Sequence, residues 1–422
     1  MRCQRTDRQP RDGGRAMLGK CAELGTGLTF SSHVLVTSPC GETRPALAFA
    51  FASSTQCSAP STPAANLLAS KLVLDTPAET SQFFFVMRHL ISFLIAPLVF
   101  AHPDPGTKPG DDPQTAVRTG NGAWSYEAVP HWGELPDGKI IGPTHGGVVV
   151  DDSTGLIYVS TDSALSVIVY QPDGKFVRTI APECRGFHAL AIRQENGKAA
   201  IYGAQLNGNT PPLRVCKIDT DGKLLLEIPN ATTGEVPGGW GGVTGVAVAP
   251  DGSIFVSMGY GSNIIHKFDA KGKIIKSFGS KGEDEKQFNT PHGLAIDTRF
   301  GEPRLLVADR EKRRLVHFDL EGKWIGVHAS NLRRPCSVSI FGDVLAVAEL
   351  ESRVAIIDKT GTPISFLGDN PNQAQWANFG VPPQDQRLGI FTAPHGLSFD
   401  KAGNLYVQDW NQTGRVTKLN KL

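Results

Sequence analysis

The sequence predicts an all-β protein, a six-bladed β-propeller over residues 121–422, on three observations. A unit of small turn, alternating apolar strand, Gly-containing hairpin and second apolar strand recurs six times. Its copies are spaced 43, 56, 48, 44 and 59 residues apart, a blade period of about 40–50 residues with loop insertions. The 46 glycines and 29 prolines suit short strands and tight turns better than long helices. One four-stranded sheet cannot bury both faces alone, whereas six packed radially can.

Taken in order, residues 1–86 show no sustained helix or strand period and are expected to be disordered or an artefact of an upstream start in the gene model, not a folded domain. Residues 87–101 read as a signal peptide: a basic start at Met87-Arg88-His89, a short apolar run, and Val99 and Ala101 at the small-residue positions of a cleavage site. That run is too short to serve comfortably as a membrane anchor. Residues 102–120, rich in Pro, Gly and Asp, are expected to form a flexible leader. The expected product is a secreted, extracellular monomer. The sequons Asn230-Ala-Thr and Asn411-Gln-Thr fit a glycoprotein. Of the seven cysteines, Cys184 and Cys216 could pair in an oxidising compartment, leaving Cys336 free.

Ring closure requires the two chain ends to share a blade. Trp124-Ser-Tyr-Glu-Ala-Val-Pro, an alternating segment ahead of the first copy, is therefore expected to add the outer strand to the blade of residues 395–422. The six copies start at His145, His188, Thr244, His292, Cys336 and His395, and these markers should form one tier around the central channel.

With 42 Lys plus Arg against 41 Asp plus Glu, no net field draws the chain to nucleic acid or an anionic membrane, and a small-molecule or peptide partner is favoured. No phosphate-binding Gly loop, Cys-x-x-Cys pair or nucleophile elbow is present, so nucleotide, thiol-redox and serine-hydrolase chemistries lack support.

His188, His292 and His395 fall 104 and 103 residues apart, in the second, fourth and sixth blades, about 120° from one another around the axis. Three imidazoles so placed can converge on one ion, and a three-histidine zinc site with an open position polarises a substrate oxygen. The plainer reading is that each histidine is a polar turn residue facing a wet channel. His145 and Cys336 share the tier as further ligands, as members of a different triad, or as lining.

The segment Val243 to Tyr260, followed by Pro291-His292-Gly-Leu and Val307-Ala-Asp-Arg310-Glu, resembles the catalytic propeller of peptidyl-α-hydroxyglycine α-amidating lyase, a six-bladed propeller of NHL-repeat type. The resemblance spans roughly residues 140–420. It implies zinc on His188, His292 and His395, Tyr260 as catalytic base and Arg310 as stabiliser of developing negative charge. The implied reaction splits a C-terminal α-hydroxyglycine into a peptide amide and glyoxylate.

Several positions depart from that family. The first blade, Ile157 to Ser163, lacks the family's second substrate-binding arginine. Gly396 stands where a calcium-binding aspartate is expected, and Ala393 replaces a methionine. Gly261 and Leu306 stand where disulfide cysteines would be. Two other functions remain: a non-catalytic propeller binding protein or carbohydrate, and a lactonase-type hydrolase with calcium on residues such as Asp309, Glu349 and Asp409. The last is disfavoured because the marker tier carries no carboxylate.

Overall fold

The computed structural model describes residues 116–206 and 213–422. The expected upstream extension, signal peptide and all but the end of the leader lie outside the described residues. Among the described residues no helix is long and apolar enough to cross a membrane.

Six antiparallel sheets form the expected six blades. Blades one to five contain four strands each, running from Val148 to Ile180, Phe187 to Ile228, Gly245 to Phe278, Pro291 to Ala329 and Pro335 to Leu367. The first strand of each blade packs against the first strand of the next, and the sixth packs against the first, which closes a circle around the axis.

The sixth blade combines both chain ends, as expected. Trp124–Ala128 lies antiparallel to Arg415–Lys421, with Tyr126 opposite Lys421 and Ala128 opposite Leu419. Beyond expectation, Arg118–Asn121 adds a fifth strand outside Trp124–Ala128. The seam is a true part of the core, because Tyr126 and Ala128 are buried among Leu397, Leu405 and Leu419 of blade six and Val344, Ala346 and Ile356 of blade five.

The apolar residues gather between blades. Tyr158, Val167 and Val169 of blade one meet Phe187, Ile201 and Ile218 of blade two, and similar clusters fill the other interfaces. Alternating strands put one apolar face toward each neighbour, so both faces of every sheet leave water.

A second regularity ties strand ends to turns. Asp309 accepts the Asn289 amide and the Arg314 guanidinium; Glu349 accepts the Arg333 amide and Arg353; Asp409 accepts the Thr392 and Ala393 amides and faces Arg415. These carboxylates act as structural clamps held by backbone amides and arginine, a role that competes with serving as the calcium ligands of a lactonase.

Two expectations need adjustment. Cys184 and Cys216 are buried, hydrogen-bonded neighbours but are free thiols, as is Cys336. Asn411 is fully buried and its amide donates to the Val381 carbonyl at 2.9 Å, so the second sequon has no room for a glycan. The local triplet cannot report that burial.

Candidate metal centre

The marker residues form one tier: five open or immediately precede the innermost strand of their blade, and His145 lies three residues ahead of its strand, Val148–Val150. His188, His292 and His395 come together there, one nitrogen from each lying within 4.8 Å of the others. Their ring centroids form a near-equilateral triangle of 4.7 Å sides. All three are buried, and the loss of solvent pushes each well below the ordinary imidazole pKa, reinforced by neighbouring histidines and Arg310. Neutral imidazoles are the form that ligates metal.

The odd-numbered blades orient the rings. The Nδ1–H of His188 donates to the Thr244 carbonyl at 2.7 Å, and that of His292 donates to the Cys336 carbonyl at 2.8 Å. A carbonyl can only accept, so in both rings Nδ1 carries the proton and Nε2 presents a lone pair. Such outer hydrogen bonds commonly fix metal-ligating histidines. His395 differs: its buried Nδ1 has no hydrogen-bond partner among the described residues.

That difference follows from the ring seam. Cβ atoms added at Gly245 and Gly293 would each lie 2.3 Å from the marker carbonyl of the next blade, His292 or Cys336. At Gly396 the contact shifts by one residue, to the Gly146 carbonyl at 1.6 Å. No side chain fits at Gly396, so the aspartate that the family pattern places there is sterically excluded. The chamber of about 310 Å³ on one side of the histidines is lined by residues such as Val148, Ala191, Val246, Leu294, Val338 and Leu397, without a carboxylate. Calcium therefore lacks a fitting donor set there, whereas the three nitrogens suit zinc.

Tyr260 and Arg310 also meet the triad. The Tyr260 hydroxyl lies 3.1 Å from His292 Nε2 and 3.3 Å from His188 Nε2, and accepts a 2.8 Å hydrogen bond from Arg310 Nη1. Burial of the phenol raises its pKa above the ordinary value, and the Arg310 guanidinium opposes that rise. The ring is nevertheless 42 % exposed on the mouth side of the channel, where a ligand can reach it.

Other tier members do different work. Thr244 donates its hydroxyl to the Pro291 carbonyl and is buried. His145 holds Asp162 at 2.8 Å through Nδ1 and stands outside the three-nitrogen cluster, with its ring 5.1 Å from His188. Cys336 directs its sulfur to the Arg334 carbonyl, and burial pushes its thiol up to about 11, so it is an inert neutral group.

A second tier overlies the first. In every blade the residue leaving the second strand donates its backbone N–H to the carbonyl two residues before the marker. Asp162 bonds to Pro143, Leu206 to Gly186, Tyr260 to Gly242, Arg310 to Thr290, Leu350 to Arg334 and Trp410 to Ala393. This mouth tier contains both predicted catalytic residues and three that sequence reasoning missed, Asp162, Leu350 and Trp410. Their equivalence to Tyr260 and Arg310 within the repeat was the available signal. A cavity of about 440 Å³ opens here, lined by His145, Tyr260, Arg310, Arg334, Trp410 and neighbours.

Fold and site together define a six-bladed propeller with a trigonal histidine cluster at the floor of an arginine- and tyrosine-lined mouth. In sequence the chain is similar to peptidylglycine-amidating enzymes. Over 180 residues, 39% of the chain, it is 41% identical to the peptidyl-glycine α-amidating monooxygenase of Mus musculus, covering 17% of that protein. Over 115 residues, 26% of the chain, it is 33% identical to a peptidyl-α-hydroxyglycine α-amidating lyase homologue of Caenorhabditis elegans, covering 31% of it. The chain thus spans less than a third of either relative's length. No family model matches. Among solved structures it aligns with a streptogramin B lyase at 16% identity and a TM-score of 0.46, covering 71% of this chain and 99% of that one. The blade assignment stands on strand pairing itself.

Proposed function

We propose that the chain is a secreted, zinc-dependent lyase acting on a peptidyl-α-hydroxyglycine or a close analogue, releasing the amide and glyoxylate. The observation that carries this reading is the convergence of Tyr260 Oη on the Nε2 atoms of His188 and His292 while Arg310 donates to the same oxygen.

His188, His292 and His395 would hold the zinc ion, which supplies Lewis acidity toward a substrate oxygen when bound. Tyr260, as phenolate, takes the proton of the substrate hydroxyl. The carbinol carbon–oxygen bond becomes the aldehyde carbonyl, the carbon–nitrogen bond breaks, and its electron pair goes to the amide nitrogen, which is then protonated. Arg310 lowers the cost of the phenolate and stabilises negative charge as it develops beside it.

The test is elemental analysis of the purified protein followed by glyoxylate release from a synthetic peptidyl-α-hydroxyglycine. One equivalent of zinc with turnover that a chelator abolishes supports the lyase. Absence of both would leave a non-catalytic propeller as the reading. Export is tested separately by N-terminal sequencing of the native protein, and peptides from before Met87 would overturn the signal-peptide expectation.

A further inference from the structure

The carbonyls that receive the mouth-tier hydrogen bonds belong to Pro143, Gly186, Gly242, Thr290, Arg334 and Ala393. Five of these positions carry small or cyclic residues, and blade five carries an arginine. Arg334 adopts φ 56, in the left-handed region that Gly186, Gly242 and Thr290 occupy at φ 79, 65 and 63, so this position of the repeat tolerates more than glycine. Arginine is the one charged residue among the six.

Its side chain is held on one carboxylate together with Arg310. Arg334 Nε and Nη2 donate to Glu311 at 3.1 and 2.7 Å, and Arg310 Nε donates to Glu311 Oε1 at 2.9 Å. Burial pushes the Glu311 carboxyl up, but hydrogen bonds and charge from the two arginines more than reverse it, so it stays ionised. Two guanidinium groups against one carboxylate leave one net positive charge in the cavity wall. Arg334 Nη1 has no hydrogen bond within the described residues. The same cavity is lined by the apolar side chains of Leu350, Ala377 and Trp410, the last packed against Phe379 with ring centroids 4.9 Å apart.

From this juxtaposition we propose that Arg334, seated beside Arg310 by Glu311, is a specificity-determining residue that binds the carboxylate of an N-acylglycine-type substrate whose apolar acyl or peptidyl part lies against Trp410. The proposal rests on the lyase reading and names the substrate class of the same site. Bidentate geometry and permanent charge make arginine the suitable group for a carboxylate.

The experiment compares N-phenylacetyl-α-hydroxyglycine with its methyl ester in wild type, Arg334→Gln and Arg334→Lys, with zinc content and melting temperature measured for each. Losing one charge-assisted contact to bound substrate should raise KM for the acid about 10–100-fold in Arg334→Gln, leaving kcat within about threefold and the ester nearly unaffected. Arg334→Lys should recover part of the acid preference. Equal losses for acid and ester at unchanged zinc content would overturn the proposal, because they indicate a purely structural arginine.

If wild type cleaves neither compound, the lyase reading has failed, and calorimetric binding of uncleavable N-phenylacetylglycine still decides the role of Arg334. Binding that weakens at least about tenfold in Arg334→Gln supports the carboxylate site. Equal binding by both proteins, or none by wild type, overturns it.

Discussion

Even and odd blades of this propeller share one strand plan and contribute opposite things to its axis. Blades two, four and six supply the imidazoles of His188, His292 and His395, whereas blades three and five supply the backbone carbonyls of Thr244 and Cys336 that fix two of those rings. The side chain of an odd marker is therefore secondary to its carbonyl. Blade one breaks the rule: Gly146 adopts φ 108, the contact with blade six shifts by a residue, and His395 Nδ1 is left without a partner. The exception lies where blade six meets blade one, through strands far apart in sequence.

The strongest challenge to this alternation is to open the seam. Deleting residues 120–132 removes the strand that pairs with Arg415–Lys421 and exposes the core between blades five and six. The expected outcome is a fall in melting temperature of more than about 10 °C, read by circular dichroism. An unchanged transition would mean that the ring closes without that strand.

Next in size is the contrast between markers. His292→Ala should lower zinc affinity by more than about 100-fold and abolish turnover, whereas His145→Ala on an odd blade should retain a full equivalent of zinc. Competition with a chromophoric chelator measures both, and comparable losses would show that blade one belongs to the ligand set.

Tyr260→Phe keeps the ring but removes the hydroxyl that faces the Nε2 atoms of His188 and His292. Turnover should fall about 10²–10⁴-fold with zinc retained, as steady-state kinetics beside metal analysis would reveal. Full activity would remove Tyr260 from the chemistry.

The smallest effect sharpens what makes a histidine a ligand here. His266, on the third strand of blade three, is as buried as the channel histidines; its Nδ1 bonds to Ser277, its Nε2 has no partner, and desolvation lowers its pKa to about 4. Because the folded value lies below the unfolded one, protonation favours unfolding. Stability should therefore decline as pH falls from about 6.5 to about 4, by up to about 3 kcal/mol. His266→Gln should flatten that part of the acid profile in urea titrations, leaving zinc binding unchanged; an unaltered profile would place the acid sensitivity elsewhere.

Sequence alone determined the number of blades, the strand that pairs across the ring closure and the tier in which His188, His292 and His395 stand, but not the extra strand Arg118–Asn121, which lies partly in the expected leader. Those properties depend on two periods, two residues along a strand and one blade around the axis, and both are written locally in the chain. Tyr260 and Arg310 were legible through their resemblance to a known family. Asp162, Leu350 and Trp410 repeat the same position but differ in chemistry, so nothing in their local sequence marked them.

Only the tertiary structure decided which nitrogen of His188 and of His292 faces the axis, that Glu311 joins Arg310 to Arg334, that Asn411 is buried, and that the contact at Gly396 excludes a side chain. Each depends on how closely two blades approach across the ring. Strand patterning sets which face a side chain takes, but that distance is fixed only when all six sheets have packed and closed.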